Sequence, residues 1–300
     1  MRAIEPKPTE IKITFLVSAI LCMSLLAAPI LAQGPPPPPP PPSYPPQELD
    51  RLVSRIALYP DPLIAQVLAA ATFPDQIPDA ARWADQHHYL TGDPLAAAIQ
   101  ADRLPWDPSV QALLPFPAVL DMMAADMAWT SELGNAFLAQ QPAVMDAVQR
   151  QRRLAYDYGY LRTNPQIVVT PGPYIQIMPV NPAFIYVPVY DPLIVFAPPR
   201  PGFVVGGAIR FGWGFSITAG FRPWGWGYNR LDWGRHVVVV NNAPWARTWG
   251  NRAGYVHPYT VQRYAPERRF EGHELHEPSP REREAYRGGR ERVEEHERRR

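Results

Sequence analysis

Cysteine and lysine are nearly absent from this chain of 300 residues. Its single cysteine, Cys22, and its lysines, Lys7 and Lys12, all lie within the first 32 residues. Beyond that point the chain has no disulfide, no thiol nucleophile and no thiolate ligand for a metal. Basic and acidic residues nearly balance, with a formal net charge of +1. We therefore expect no nucleic-acid partner, because generic nucleic-acid binding needs a positive surplus.

The sequence also lacks the short motifs of the common enzyme classes. It contains no Gly-x-Ser-x-Gly elbow, phosphate-binding loop, dinucleotide fingerprint or zinc-protease motif. We therefore expect a protein that is not an enzyme and that holds no cofactor and no metal. The pair His87-His88 does not change this expectation, since neighbouring residues on a helix point about 100° apart. No further histidine follows at the spacing of a metal site.

One enzymatic alternative stays open, a hydrolase that acts on an envelope polymer. Such an enzyme uses two carboxylates as acid and base. The candidates in the helical region are Asp121, Asp126, Glu132 and Asp146. Their spacings place no obvious pair on one helix face, so carboxylates at the helix surface are the expected outcome.

Residues 1–32 have the pattern of a secretory signal peptide. Basic residues precede the apolar run "ITFLVSAILCMSLLAAPILA", and a small residue, Ala32, closes it. The alternative is an uncleaved membrane anchor, because about 20 apolar residues can span a bilayer. Either way, the pattern predicts an exported protein of the periplasm or cell envelope.

Residues 33–46 contain eight consecutive prolines and predict a polyproline linker. Eight prolines in the polyproline II conformation span roughly 25 Å. We interpret the segment as a stiff spacer; the alternative is a ligand for a proline-binding module.

The helical region contains three Asp-Pro pairs that predict helix starts. In "RIALYPDPLIAQVLAAATFP", residues 55–74, Pro60 ends one helix, Asp61 caps the next, and Pro62 occupies its first turn. The run that follows is too short to cross a bilayer and predicts a buried core helix. The pairs at Asp93 and Asp107 predict the same arrangement. Longer helices are predicted over 117–129, 131–140 and 142–156.

The fold predicted for residues 47–200 is α+β. A bundle of short helices extends to about residue 160, and the segments "QIVVT", "YIQIM" and "AFIYVPVY" follow. Their β-branched and aromatic residues, separated by Pro-Gly and Asn-Pro, predict a small antiparallel hairpin or sheet. This sheet should pack against the helices and share one core with them.

Residues 201–262 form a β segment rich in glycine and tryptophan. From Phe203 to Phe221, apolar or aromatic residues alternate with small or polar ones, as in a strand. One strand of that length would reach roughly 60 Å, so we expect a hairpin that turns near residues 212–214. The aromatic residues predict a binding face of Phe211, Trp213, Phe215, Trp224 and Trp226. Two outcomes remain open: the face is exposed for binding, or it covers the helical domain.

The tail, residues 263–300, is composed largely of arginine and glutamate with almost no apolar residues. Such a segment cannot bury enough surface to offset its ordering entropy, and we expect it to be disordered.

Several stretches together resemble a known family. They are "IALYPDPLIAQVLAAATFP", "AARWAD", "WDPSVQALLPFPAVLDMMAADMAWTSELGNAFLAQQPAVMDAVQRQR" and "NPAFIYVPVYDP", which lie in order between Leu49 and Asp191. They resemble domain-of-unknown-function family 3300, which is found in exported bacterial proteins. The resemblance implies export and the limits of a domain, and it implies no catalytic residue.

The sequence thus predicts a non-enzymatic binding or structural protein of the bacterial cell envelope. The expected partner is an envelope component: a membrane surface, peptidoglycan or another envelope protein. Self-association through the edge of the hairpin at residues 203–221 is a further hypothesis.

Overall fold

A computed structural model describes residues 39–200, 202, 205–255, 257 and 261. Every described helix and strand lies in one compact unit, Pro42–Arg300. The predicted signal peptide, residues 33–38 of the polyproline linker and the charged tail lie outside the described residues. Within the described part, no helix combines the length and apolar content needed to cross a bilayer.

Helices occupy the first half of this unit, as the sequence predicts. They are α1 (Pro46–Val53), α2 (Asp61–Ala71), α3 (Ile77–Gln86), α4 (Gly92–Ala101), α5 (Pro108–Gln111), α6 (Pro117–Ala125) and α7 (Met127–Asp157). All side chains of α2 are buried, so the prediction of a core helix is confirmed. Non-helical backbone at Gln140, two residues before Pro142, interrupts α7 where the sequence predicts a helix boundary.

The Asp-Pro pairs play different roles from those predicted at two of three positions. Asp107 does cap α5, accepting a hydrogen bond from the Ser109 N–H at 2.9 Å. Asp61 and Asp93 lie inside the first turns of α2 and α4, and neither helix has a side-chain cap. The capping prediction is therefore wrong for Asp61 and Asp93. The carboxylate of Asp61 turns into the core instead, where it accepts hydrogen bonds from distant residues.

Short antiparallel strands follow the helices and confirm the α+β class. They are β1 (Ile167–Thr170), β2 (Gln176–Pro179), β3 (Phe184–Ile185), β4 (Pro188–Tyr190), β5 (Ile209–Phe211), β6 (Phe215–Ser216), β7 (Arg230–Asp232), β8 (Val237–Val240) and β9 (Ala243–Pro244), with a short helix α8 (Pro192–Val195) after β4. Strands β1 and β2 form a hairpin in which Val168 faces Met178. Strands β7, β8 and β9 form a three-stranded sheet in chain order.

The predicted hairpin with a turn near Gly212–Gly214 does not form. Strand β6 pairs with β3, and β5 pairs with β4, so residues 209–216 run antiparallel to residues 184–190. We call this pair of segments the ribbon. The alternating pattern correctly indicates strands at Ile209–Phe211 and Phe215–Ser216, but the partner of each strand lies earlier in the chain. The prediction of extended backbone is wrong at its end, because Ala219–Trp224 forms a 3₁₀ helix.

The Gly/Trp-rich segment completes the core of the helical bundle. Four of its tryptophans belong to the same buried cluster as α2 and α7: Trp224, Trp226, Trp233 and Trp245. A smaller cluster lies between the β1–β2 hairpin and the ribbon, with Ile167, Ile177 and Val195 buried in it. Large aromatic side chains from the C-terminal half thus close a core that the helices alone leave open.

Helices α2 and α7 touch backbone to backbone at Gly134. A Cβ atom placed on Gly134 would lie 2.0 Å from the carbonyl oxygen of Ala71. Only glycine allows this approach, which brings α7 against the C-terminal end of α2.

Candidate binding cleft

A cleft of about 230 Å³ opens beside the middle of the ribbon. It lies between the C-terminal end of α3, the start of α4, the segment that joins α5 to α6, and residues 213–216. Its walls include His87, His88, Leu90, Leu114, Trp213 and Phe215. The described residues that line it include no carboxylate and no guanidinium group, so the cleft suits a ligand with apolar or ring surfaces.

Trp213 stands on the rim of this cleft with 93% of its surface exposed. The local backbone explains why this indole points outwards. Gly214 packs against the ring of Tyr186, and a Cβ atom there would lie 2.8 Å from two ring carbons. The close packing fixes the ribbon next to Trp213 and leaves the indole in solvent. An exposed tryptophan above an apolar cleft is the arrangement that stacks on ligands or enters interfaces.

Two histidines on the opposite wall have fixed rings. His87 Nδ1 donates a hydrogen bond to the Trp83 carbonyl at 2.8 Å, and His88 Nδ1 donates to the Asp85 carbonyl at 2.5 Å. The His87 ring also stacks on Trp83, with the ring centroids 3.8 Å apart. Because a carbonyl only accepts, each neutral ring keeps its acceptor lone pair on Nε2. These atoms can accept hydrogen bonds from a ligand hydroxyl or amide.

The structure separates the five residues of the predicted binding face. Trp213 and Phe215 line the cleft, and Phe215 is half-buried with its ring 5.2 Å from Phe116. Phe211 is half-buried against the smaller core cluster. Their role in binding stays a prediction.

Trp224 and Trp226 do not belong to an exposed face. Both side chains are buried, and their indole N–H groups donate to Gln111 Oε1 at 2.9 Å and to the Ala112 carbonyl at 3.0 Å. These two tryptophans cover the helical core, because a buried indole needs both apolar contacts and a hydrogen-bond acceptor. The predicted face is thereby reduced to the part near Trp213.

Sequence reasoning missed a buried ion pair between Asp61 and Arg152. Arg152 Nη1 lies 2.6 Å from Asp61 Oδ1, and the arginine side chain is completely buried. The guanidinium also donates to the carbonyls of Ala57, Tyr59 and Ile175. With all these bonds made, the charge of the guanidinium is well compensated inside the core.

Trp233 binds both members of this pair. Its indole N–H donates to Asp61 Oδ2 at 3.0 Å, and its ring lies 4.8 Å from the Arg152 guanidinium carbon. The cluster therefore ties α2 and α7 to the segment that follows β7. Its side chains form hydrogen bonds with one another and with backbone carbonyls, which indicates a structural role. The only sequence signal was the Asp61-Pro62 pair, and it suggested a helix cap.

A second polar cluster, around Arg247 and His257, connects the end of the described chain to the helices. Arg247 Nη1 donates to the Thr72 carbonyl at 2.6 Å, and its guanidinium carbon lies 3.7 Å from the centroid of the Phe73 ring. His257 Nε2 lies 3.8 Å from Asp107 Oδ1 in a nearly buried position. Desolvation by burial lowers the pKa of His257, and the Asp107 carboxylate partly opposes this shift. Burial likewise lowers the pKa of Arg247.

The four carboxylates of the hydrolase alternative lie at the surface. Asp126 caps α7 and pairs with Arg55 at 2.8 Å, which together lower its pKa. Glu132 pairs with Arg51 at 3.1 Å. Asp146 lies 2.8 Å from His236 Nε2, and Asp121 is exposed. Among the described residues, no three histidine, cysteine or acidic side chains are grouped to hold a metal ion.

The sequence of this chain is similar to known proteins over most of the described fold. A family model described as a protein of unknown function (DUF3300) matches residues 45–252, from α1 to beyond β9. The chain is also 28% identical over 278 residues to the uncharacterised protein YacH of Escherichia coli (strain K12). That alignment covers 77% of this chain and 43% of YacH, so the chain spans less than half of that relative's length. No solved structure matches the chain.

Proposed function

The chain belongs to the DUF3300 family of proteins of unknown function, and we propose that it is a non-enzymatic binding protein of the bacterial cell envelope. The observation that carries this proposal is Trp213, whose indole is almost fully exposed on the rim of an apolar cleft. The exposed indole and the apolar cleft form one continuous apolar surface, and such surfaces mark ligand grooves and interaction sites. The signal-like residues 1–32 support the envelope as the compartment.

The binding mode that fits this cleft combines stacking with a few hydrogen bonds. Trp213 and Phe215 offer ring faces, Leu90 and Leu114 offer apolar walls, and the Nε2 atoms of the two histidines offer acceptors. A ligand with a ring or a short apolar segment and nearby hydroxyl or amide groups matches these features. Three of the four surface carboxylates of the hydrolase alternative pair with a basic side chain, and the fourth, Asp121, is exposed. No observation on the described residues favours the hydrolase alternative.

Co-sedimentation with purified peptidoglycan and with envelope membranes tests the proposal. We expect the protein to sediment with at least one of them, and Trp213→Ala to reduce the bound fraction severalfold. Because Trp213 is exposed, the substitution should leave the thermal midpoint of unfolding unchanged within a few degrees.

Tyr228→Ala is the matched control, since Tyr228 is an exposed aromatic residue outside the cleft. It should bind as the wild type does. Equal binding by Trp213→Ala and the wild type would refute the role of the cleft, and failure of the wild type to bind either material would refute the proposal. The compartment is tested separately, by whether the native chain is recovered in the periplasmic or envelope fraction with residues 1–32 removed.

A further inference from the structure

The end of the ribbon carries an exposed apolar cluster that is separate from the cleft. Strand β4 leads directly into α8, and three side chains there project into solvent: Val189 is 58% exposed, Leu193 85% and Ile194 50%. These residues lie within six consecutive positions, so their backbones span less than about 20 Å. We call Val189, Leu193 and Ile194 the tip cluster. Leu193 is the most exposed aliphatic side chain among the described large hydrophobic residues.

The part of the ribbon that carries the tip cluster has one face in the core and the other in solvent. On the inner face of β4 and β5, Tyr190, Ile209 and Phe211 pack against the smaller core cluster, and Val195 of α8 is buried in it. On the outer face, Val189 stands directly opposite Arg210 across the strand pair. Cross-strand neighbours share a face, so an apolar and a cationic side chain project together into solvent.

Along the chain after Asp191, the charged side chains have one sign. From residue 192 to residue 231 the sequence contains four arginines, at 200, 210, 222 and 230, and no aspartate or glutamate. Arg200 and Arg210 are exposed, and within the described part of the chain neither pairs with a carboxylate. One exposed carboxylate, Asp191, lies within the tip segment between Val189 and Leu193, where it accepts a hydrogen bond from the Leu193 N–H as the cap of α8.

We propose that the ribbon docks on an anionic membrane surface, with the tip cluster entering the headgroup layer and Arg200 and Arg210 contacting the anionic lipids. Short apolar elements bordered by basic residues bind bilayer interfaces in this way, through buried apolar area together with attraction to anionic lipid. Trp213, near the middle of the same ribbon, has the amphipathic ring that is enriched at headgroup level. This inference rests on the proposed function, because it names the membrane as the envelope component.

The high exposure of the tip cluster favours a bilayer over a protein partner. Its side chains project from a four-residue helix and the end of a two-stranded ribbon. The opposing surface has to be fluid or deeply grooved to cover such a projection, and a lipid headgroup layer is fluid. A lone exposed leucine needs no explanation, but three neighbouring exposed aliphatic side chains beside unpaired arginines form a patch.

Vesicle binding by residues 42–300 tests the inference. This unit contains every described helix and strand, and it omits the apolar N-terminal run, which would bind lipid by itself. We expect the protein to float with vesicles that contain about 30% phosphatidylglycerol and to bind neutral phosphatidylcholine vesicles at least about tenfold more weakly. Raising the salt from about 0.1 M to about 1 M should release much of the bound protein, because salt screens exposed charges.

Two double variants, a test and its control, locate the membrane contact. Leu193→Gln with Ile194→Gln should lower vesicle affinity by about tenfold or more, since it removes the apolar area that enters the bilayer. Its control is Val168→Gln with Met178→Gln, which changes two exposed apolar residues on the β1–β2 hairpin and should have little effect. Circular dichroism and the unfolding midpoint verify that both variants fold.

The arginines are tested in the same way. Arg200→Gln and Arg210→Gln should each weaken binding to anionic vesicles about fivefold. The controls Arg82→Gln and Arg235→Gln each remove one charge from an exposed position on another element and should change binding much less.

The outcomes separate the inference from the proposed function. If the protein binds peptidoglycan through Trp213 and does not bind anionic vesicles, the inference is refuted and the proposed function stands. If it binds neither material, both are refuted. Equal vesicle binding by the Leu193→Gln/Ile194→Gln variant and its control, or a concentration-dependent dimer that this variant abolishes in the absence of vesicle binding, also overturns the inference.

Discussion

Arg152 and Asp61, 91 residues apart in the chain, form a 2.6 Å ion pair inside the core, and the indole of Trp233 binds both of them. Three backbone carbonyls beside the pair accept further hydrogen bonds from the guanidinium. Removing one member leaves the other as a buried charge with too few partners, which costs more than the pair contributes when it is complete.

We therefore expect Arg152→Met to lower the free energy of unfolding by about 3–5 kcal/mol. Urea denaturation followed by circular dichroism measures this loss. The control is Arg82→Met, which breaks an exposed pair with Asp79 and should cost less than about 1 kcal/mol. Similar losses in the two variants would show that burial does not set the strength of the Asp61 pair.

The contact between α2 and α7 predicts a strong effect of one added methyl group. Gly134→Ala places a Cβ atom against the Ala71 carbonyl, and neither backbone can move without shifting a buried helix. We expect a loss of about 1–3 kcal/mol or more in the free energy of unfolding.

Gly212→Ala is the matched substitution, because nothing lies within 4 Å of a Cβ atom at that position. It should change stability by less than about 0.5 kcal/mol. Thermal unfolding of both variants under one condition compares them directly, and a Gly134→Ala protein as stable as the Gly212→Ala protein would contradict the close approach of the two helices.

The buried position of His257 predicts that stability falls in mild acid. Burial holds the pKa of His257 below its usual value of 6.5, so the folded protein binds this proton less readily than the unfolded chain. Between the folded pKa and 6.5 the unfolded state therefore carries more protons, and the free energy of unfolding rises with pH in that window. The stabilisation is fully present above 6.5 and declines as the pH falls towards the folded pKa.

Urea denaturation from pH 8 to pH 5 measures this effect, with His257→Gln as the reference. The difference in the free energy of unfolding between the two proteins should be constant above about pH 7. Below that pH it should decrease, by at most about 1.4 kcal/mol for each unit by which the pKa of His257 differs between the folded and unfolded states. A constant difference across the whole range would show that His257 titrates alike in the folded and unfolded states.

Local signals in the sequence predicted several helices and their boundaries, although the Asp-Pro pairs at Asp61 and Asp93 did not mark helix caps. The apolar run after Asp61 is a buried helix, and Pro142 marks the interruption of α7 at Gln140. Both depend on neighbouring residues only, through helix periodicity and the geometry of proline. The α+β class follows from the same kind of signal.

Relationships between distant residues could not be predicted in this way. The alternation in residues 203–221 indicates extended backbone, but a period of two carries no information about which strand becomes the partner. Trp213 and Trp226 lie in similar Gly-Trp-Gly surroundings, yet one is 93% exposed and the other is buried against α5 and α6. Asp61 shows the same limit, since its partners lie 91 and 172 residues away.

The distance between Asp61 and Trp233 also matters while the protein is being made. At about 5–20 residues per second, roughly ten to thirty seconds of synthesis separate these two residues. During that interval the Trp233 indole is not present to cover Asp61 and Arg152, and the core of the helices lacks the four tryptophans of the C-terminal segment. The buried Asp61 carboxylate therefore gains its last hydrogen bond only when the final quarter of the chain arrives.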